Sequence, residues 1–160
     1  MTDFMTVELE RRFLVADDSW REAAGEPLVL QQGYLSVEKE RTIRVRIIGL
    51  QAWLTLKGYI SDMTRSEFEY EIPLAHAQAM MADMCPFKME KYRYRVEFEG
   101  FVYEIDEYFG DNAPLIVAEI ELPSEDTEFP KPSWLGKEIT SDGKFTNAYL
   151  SKHPYSSWTE

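Results

Sequence analysis

Hydrophobic and polar residues alternate along most of this chain with a period of two, the period of a half-buried β-strand. "VELERRFLV" (7–15) sets Val7, Leu9, Phe13 and Val15 against Glu8, Glu10 and Arg12, with Arg11 on the apolar side. "TIRVRII" sets Ile43, Val45 and Ile47 against Arg44 and Arg46, and "WLTLKG" sets Leu54 and Leu56 against Thr55 and Lys57. "SEFEYEI" carries Glu67, Glu69 and Glu71 on one face, and "KYRYRVEF" carries Lys91, Arg93, Arg95 and Glu97. "VYEIDEY" adds Glu104 and Asp106, and "VAEIEL" adds Glu119 and Glu121. Strands are expected near 6–15, 28–36, 40–48, 51–58, 65–73, 91–98, 101–109 and 115–122. Tight hairpins are expected at Glu99-Gly100 and near Gly49. "PLAHAQAMMADM" (73–84) is rich in helix formers and predicts one short helix. Further short helices are expected near Ser19 to Ala24 and in "TSDGKFTNAYLSKH", while "LPSEDTEFPKPSW" breaks the strand pattern. The fold class is all-β with minor helices, mostly antiparallel.

A solvated sheet face ordinarily mixes both signs of charge. Here the rows are largely single-signed, strand by strand. That face carries seven bases and ten acids in all. A closed barrel of about eight strands would remove the sheet's edges and enclose room for one small ligand. If the charged face pointed inward, unpartnered ions would be costly to bury. A polyphosphate with bound Mg²⁺ or Mn²⁺ would satisfy both signs together, oxygen ligands taking the metal and Arg and Lys the phosphate. The alternative is a sandwich whose charged faces are solvated.

Composition narrows the function classes. A chain of 160 residues with 44% hydrophobic residues is long enough for one domain with a real core, 1–160. A net charge of −12 disfavours nucleic acid and anionic membranes as partners. No apolar run approaches a membrane span, and no signal-peptide pattern opens the chain. The single Cys85 excludes an internal disulfide framework and a cysteine-built zinc site, so a cytoplasmic protein is expected. His76 and His153 lie in no nucleophile pattern, and there is no Gly-rich phosphate loop.

In this order the motifs resemble the CYTH superfamily, the triphosphate tunnel metalloenzymes. "ELERRFLV" is similar to the family's opening E-x-E-x-K. "IRVR", "LTLKG", "RSEFEYEI", "EKYRYRV", "YEIDEYFGDNAPLIVAEIEL" and "WLGKEITSDGKFTNAYL" follow in the family's sequence from Val7 to about Leu150. The resemblance implies an eight-stranded antiparallel closed β-barrel, a triphosphate tunnel, with peripheral helices. It implies Mg²⁺ or Mn²⁺ as cofactor and a small-molecule triphosphate as substrate. Glu8, Glu10, Glu119 and Glu121 match the principal metal carboxylates, and Glu67, Glu69 and Asp106 match further tunnel acids. Arg44, Arg46, Lys57, Lys91 and Arg93 match phosphate-binding bases, with Glu8, Glu10 and Lys57 at the catalytic centre. Arg12 stands where the family has Lys; it keeps the charge but presents a planar fork and cannot shuttle a proton.

The implied reaction is hydrolysis of a terminal phosphoryl group, with inorganic tripolyphosphate as the expected substrate. The alternatives are a nucleoside or thiamine triphosphatase, a class IV-type adenylate cyclase, and a polyphosphate-binding module without turnover. The assembly is expected to be a monomer or homodimer.

Overall fold

The structure, a computed structural model, describes residues 6–158. Nine strands form: β1 (Thr6–Val15), β2 (Leu28–Glu38), β3 (Arg41–Ile48), β4 (Gln51–Tyr59), β5 (Thr64–Ile72), β6 (Phe87–Phe98), β7 (Phe101–Tyr108), β8 (Ile116–Glu121) and β9 (Leu135–Glu138). Two α-helices accompany them, α1 (Leu74–Asp83) and α2 (Asn147–Lys152). The sheet order is β5-β4-β3-β2-β6-β7-β8-β1-β9, and an added β5–β1 pairing closes eight strands into an antiparallel barrel. The eight expected strands are all present. The two hairpins turn where glycine permits a left-handed backbone, Gly49 at φ +60° and Glu99-Gly100 at +50° and +86°.

Three details depart from the pattern-based expectation. β6 begins at Phe87, four residues early, because its first turn pairs with Tyr34 and Gly33 of β2. The C-terminal stretch forms only a short 3-10 turn (Gly143–Phe145) and the six-residue α2. β9 is a strand within a region expected to be irregular. β1 pairs with β5 through Thr6–Leu9 and then meets β9 at Phe13 and Val15, so β9 takes the edge that β5 leaves. Gly136 allows this approach, since a Cβ there would stand 2.8 Å from the Leu14 carbonyl oxygen.

Alternation decides where the core sits. The apolar faces point outward, and the main cluster gathers Phe13, Trp20, Val96, Tyr103, Ile105, Ala118, Ile120 and Trp134. Its cover is largely the Pro-bearing segment and β9, not helices: Tyr103 packs edge-on against Trp134 and donates its hydroxyl to the Pro130 carbonyl. Val7, on the apolar face of β1, is 57% exposed: among the described residues nothing covers it. α1 covers Val45, Ile47 and Ala52 on the opposite side. At one end of the barrel the inward-facing row itself turns apolar. Leu14, Met89, Tyr108 and Val117 pack there against Ile139 and Leu150, so the C-terminal segment fills that side of the end.

Candidate active site

The interior of the barrel is charged because every second residue of its strands is. The register then brings particular partners together: Arg44 opposite Thr55, Thr55 opposite Glu69, Lys57 opposite Glu67, Arg93 opposite Asp106 and Arg12 opposite Glu119. A cavity of about 200 Å³ results. Its walls hold Glu8, Glu10, Glu67, Glu69, Glu119 and Glu121 together with Arg44, Arg46, Lys57 and Arg93, all singled out from the sequence. Glu104 and Asn147 complete the lining. A narrower space of about 50 Å³ continues from it, sharing Glu10, Arg44, Lys57 and Asn147 and adding Arg12, Tyr34, Thr42, Thr55 and Arg65. Beyond it lies a wider vestibule of about 380 Å³ between the β4–β5 hairpin and the C-terminal segment.

Specific contacts order these groups. The Lys57 ammonium donates to both Glu8 oxygens at 2.9 and 3.1 Å and stands 3.7 Å from Glu67. The Arg12 Nε donates to Glu119 at 3.1 Å, and its Nη1 donates to the Phe145 carbonyl at 2.6 Å. Arg44 donates to the Thr55 hydroxyl at 3.2 Å, which in turn donates to Glu69 at 2.8 Å. Arg46 donates to the Gln32 side-chain oxygen at 3.0 Å. Arg93 grips Asp106 with two bonds of 2.8 and 2.9 Å and reaches Glu119 at 3.3 Å.

Lys91 and Asp106 are placed differently from the other candidates. Both are fully buried, joined at 2.6 Å, and neither lines the cavities. Burial pushes the Asp106 carboxyl up, but Arg93 and Lys91 outweigh it and hold the carboxyl far below its ordinary value. Its charge is therefore spent on those two bases. Burial lowers the Lys91 ammonium in turn, with Arg93 adding to the effect against the pull of Asp106. Glu71, Arg95 and Glu97 share the inward phase but lie exposed, outside the cavity.

The remaining charges are unbalanced in a way that favours a ligand of both signs. Seven carboxylates face four bases around the larger cavity. Glu10 stands opposite Glu121, and Glu104 opposite Glu119, like-charge pairs that oppose strand pairing unless something neutralises them. Burial, Glu119 and Glu8 raise the Glu10 carboxyl well above its usual range. Burial also raises Glu67 and Glu121, with Glu8 the next contributor for each. Those carboxylates are short of positive charge, and an all-oxygen donor set of this kind fits a hard divalent cation.

The bases show the opposite need. Burial, Arg44 and Arg93 push the Arg46 guanidinium down to about 9. Among the described residues, Arg12 Nη2 and Arg44 Nε are buried without any acceptor. An unmade hydrogen bond at such a group costs about 1–3 kcal/mol, and more for a charged one. An anion in the tunnel would supply what both lack.

Several residues of the site escaped the reading of charge alone. Tyr34, Thr42 and Arg65 line the narrower space, and Gln32 holds Arg46. All four stand opposite charged residues of their neighbours, so the strand register was the signal that could have found them. Asn147 carried no such signal, because it arrives on a six-residue helix outside the barrel.

The CYTH domain family matches residues 6–149. Among curated proteins, the inorganic triphosphatase of Acetivibrio thermocellus is 40% identical over 157 residues, covering 98% of this chain and all of that one. The inorganic triphosphatase of Nitrosomonas europaea is 32% identical over 148 residues, covering 90% and 96%. A crystal structure of an inorganic triphosphatase superposes with a TM-score of 0.64 at 31% identity, covering 89% of this chain and 96% of the other. A putative adenylyl cyclase from Hippeastrum, described as having a dominant triphosphatase activity, shares the fold at 14% identity, with a TM-score of 0.55 and coverage of 74% and 80%.

Proposed function

The chain belongs to the CYTH domain family, and from that membership we propose that its tunnel hydrolyses the terminal phosphoryl group of a triphosphate, inorganic tripolyphosphate before any nucleotide. The observation that carries this reading is the pairing of two unmet needs in one space. Buried guanidinium N–H groups of Arg12 and Arg44 lack acceptors beside a wall where carboxylates outnumber bases. A triphosphate accompanied by a divalent cation meets both at once. The two curated relatives are named inorganic triphosphatases, which supports the choice of substrate.

Glu8, Glu10 and Glu121 would hold the cation, Mg²⁺ or Mn²⁺, with Glu69 and Glu119 within the same wall. When bound, it supplies charge neutralisation and polarisation of phosphoryl oxygens. Among the described residues no three such acids converge as a preformed cage.

The chain's own groups do the rest. Arg44, Arg46 and Arg93 clamp non-bridging oxygens, and Arg12 presents its unpartnered Nη2 from the narrower space. Lys57 stabilises charge that builds on the phosphoryl oxygens. Glu67, with its raised proton affinity, accepts a proton from the attacking water. The water oxygen bonds to the terminal phosphorus, the bridging P–O bond breaks, and pyrophosphate leaves. Asp106 and Lys91 hold Arg93 in place from behind the wall.

Phosphate release from tripolyphosphate, ATP and thiamine triphosphate, each with Mg²⁺, Mn²⁺ or EDTA, tests the proposal. Metal-dependent release that is fastest from tripolyphosphate supports it. ATP consumed with pyrophosphate and a cyclic nucleotide as products would replace it with a cyclase, and no turnover of any substrate would overturn it. Among the described residues no helix is long and apolar enough to cross a membrane. The buried, unpaired Cys85 suits the reducing cytoplasm, where we place the protein.

A further inference from the structure

Among the described residues, Asn147 is the only uncharged one lining the larger cavity and the only one there that does not come from a barrel strand. It also lines the narrower space that follows, so it stands where the two meet. Its orientation is dictated by its neighbours. The side-chain oxygen accepts from the Tyr108 hydroxyl at 2.5 Å and from the Lys91 ammonium at 3.3 Å. An ammonium has three donors and no acceptor, so the amide atom facing it must be the carbonyl oxygen. Neither donor can turn away: Lys91 and Tyr108 are 0% and 1% exposed, and Lys91 is tied to Asp106 at 2.6 Å.

With the oxygen held on the wall side, Nδ2 faces the other way. Among the described residues no acceptor takes its two hydrogens, and it does not belong to the buried polar atoms lacking a partner. We infer that Asn147 is a substrate-binding residue that donates an Nδ2–H bond to a non-bridging phosphoryl oxygen of the bound triphosphate. Phosphoryl oxygens accept and never donate, so a locked amide donor recognises them without adding charge to a wall already crowded with it. The inference rests on the reading of the tunnel as a triphosphate site. It assigns the C-terminal segment a contact with the substrate itself, beyond its packing into the barrel end.

Two variants separate this role from a purely structural one. Asn147→Asp keeps an oxygen for Lys91 and Tyr108 but replaces the donor with a second carboxylate oxygen facing the phosphates. Asn147→Ala removes donor and acceptor together. Tripolyphosphate binding is measured by titration calorimetry in EDTA, beside KM and kcat with Mg²⁺ and the thermal midpoint. The expected result for Asn147→Asp is a midpoint close to that of the unsubstituted protein with binding weakened at least about tenfold, more than in Asn147→Ala. Unchanged binding in Asn147→Asp together with loss in Asn147→Ala would show an anchoring role alone and overturn the inference. Should Asn147→Asp fail to fold, Asn147→Ala decides, and unchanged binding there overturns it. Binding by the unsubstituted protein without turnover would sink the hydrolase reading while leaving this test intact. Absence of any tripolyphosphate binding, with Mg²⁺ as well as in EDTA, would sink both.

Discussion

The Arg12 guanidinium donates through Nη1 to the Phe145 carbonyl oxygen at 2.6 Å, joining positions 133 residues apart. One side chain thereby ties the first strand of the barrel to the segment that fills the barrel's end. The same guanidinium holds Glu119 through Nε at 3.1 Å, and its Nη2 has no acceptor among the described residues. A lysine, which the motif resemblance puts at this position, carries its three donors on one nitrogen and cannot span the separate positions that Nε, Nη1 and Nη2 reach. Arg12→Lys should therefore cost about 1–3 kcal/mol of stability through the lost carbonyl bond. Phosphate release should persist within about tenfold, since the charge remains. Urea unfolding and steady-state kinetics check the two halves separately, and an unchanged stability would mean that the Phe145 contact carries no weight.

Glu8 is the carboxylate that Lys57 neutralises, with bonds of 2.9 and 3.1 Å. Glu8→Gln keeps the shape but removes a cation ligand and frees the ammonium. The rate of phosphate release should fall on the order of a hundredfold or more. EDTA should abolish release in the unsubstituted protein. Because the wall already carries surplus acid, the variant's thermal midpoint without metal should not drop. A fall in midpoint matching the fall in rate would point to a folding role instead.

Arg44 is 7% exposed and keeps one nitrogen without an acceptor beside the cavity. Arg44→Lys retains charge but loses the fork that grips two phosphoryl oxygens. Tripolyphosphate turnover should drop on the order of a hundredfold in Arg44→Ala, and Arg44→Lys should recover only part of it. Full recovery by lysine would show that charge alone matters there.

The Asp106 carboxyl gives the pH dependence its sign. Its value is depressed in the fold, so its contribution is complete above its unfolded value, near pH 4, and is lost as pH falls toward the folded value. Asp106→Asn leaves Arg93 and Lys91 buried without their partner and should cost about 3–5 kcal/mol at pH 7. That gap should hold steady down to about pH 5, then narrow by up to roughly 1.4 kcal/mol per pH unit below about pH 4. Urea titrations of both proteins from pH 7 to pH 3 measure it. A gap unchanged at pH 3 would refute the assignment.

Period-two alternation determined the eight barrel strands and which side chains share a face, because a strand's geometry is local and repeats every two residues. Glu8 and Glu10, Arg44 and Arg46, or Glu119 and Glu121 belong together for that reason alone. Alternation could not say that the charged face is the inner one; closure of β5 onto β1 decides that, through hydrogen bonds between strands about 50 residues apart. β9 was invisible because four residues after a Pro-bearing stretch carry no period, and only the edge vacated by β5 makes them a strand. Nor could phase distinguish Lys91 and Asp106, sealed behind the wall, from Arg46, which lines the cavity. Asn147 reaches the tunnel only because α2 packs into the barrel's end, a contact between residues far apart in the chain. Local chemistry thus chose the strands and their faces, while depth, partners and the placement of Asn147 depended on long-range packing that no short stretch encodes.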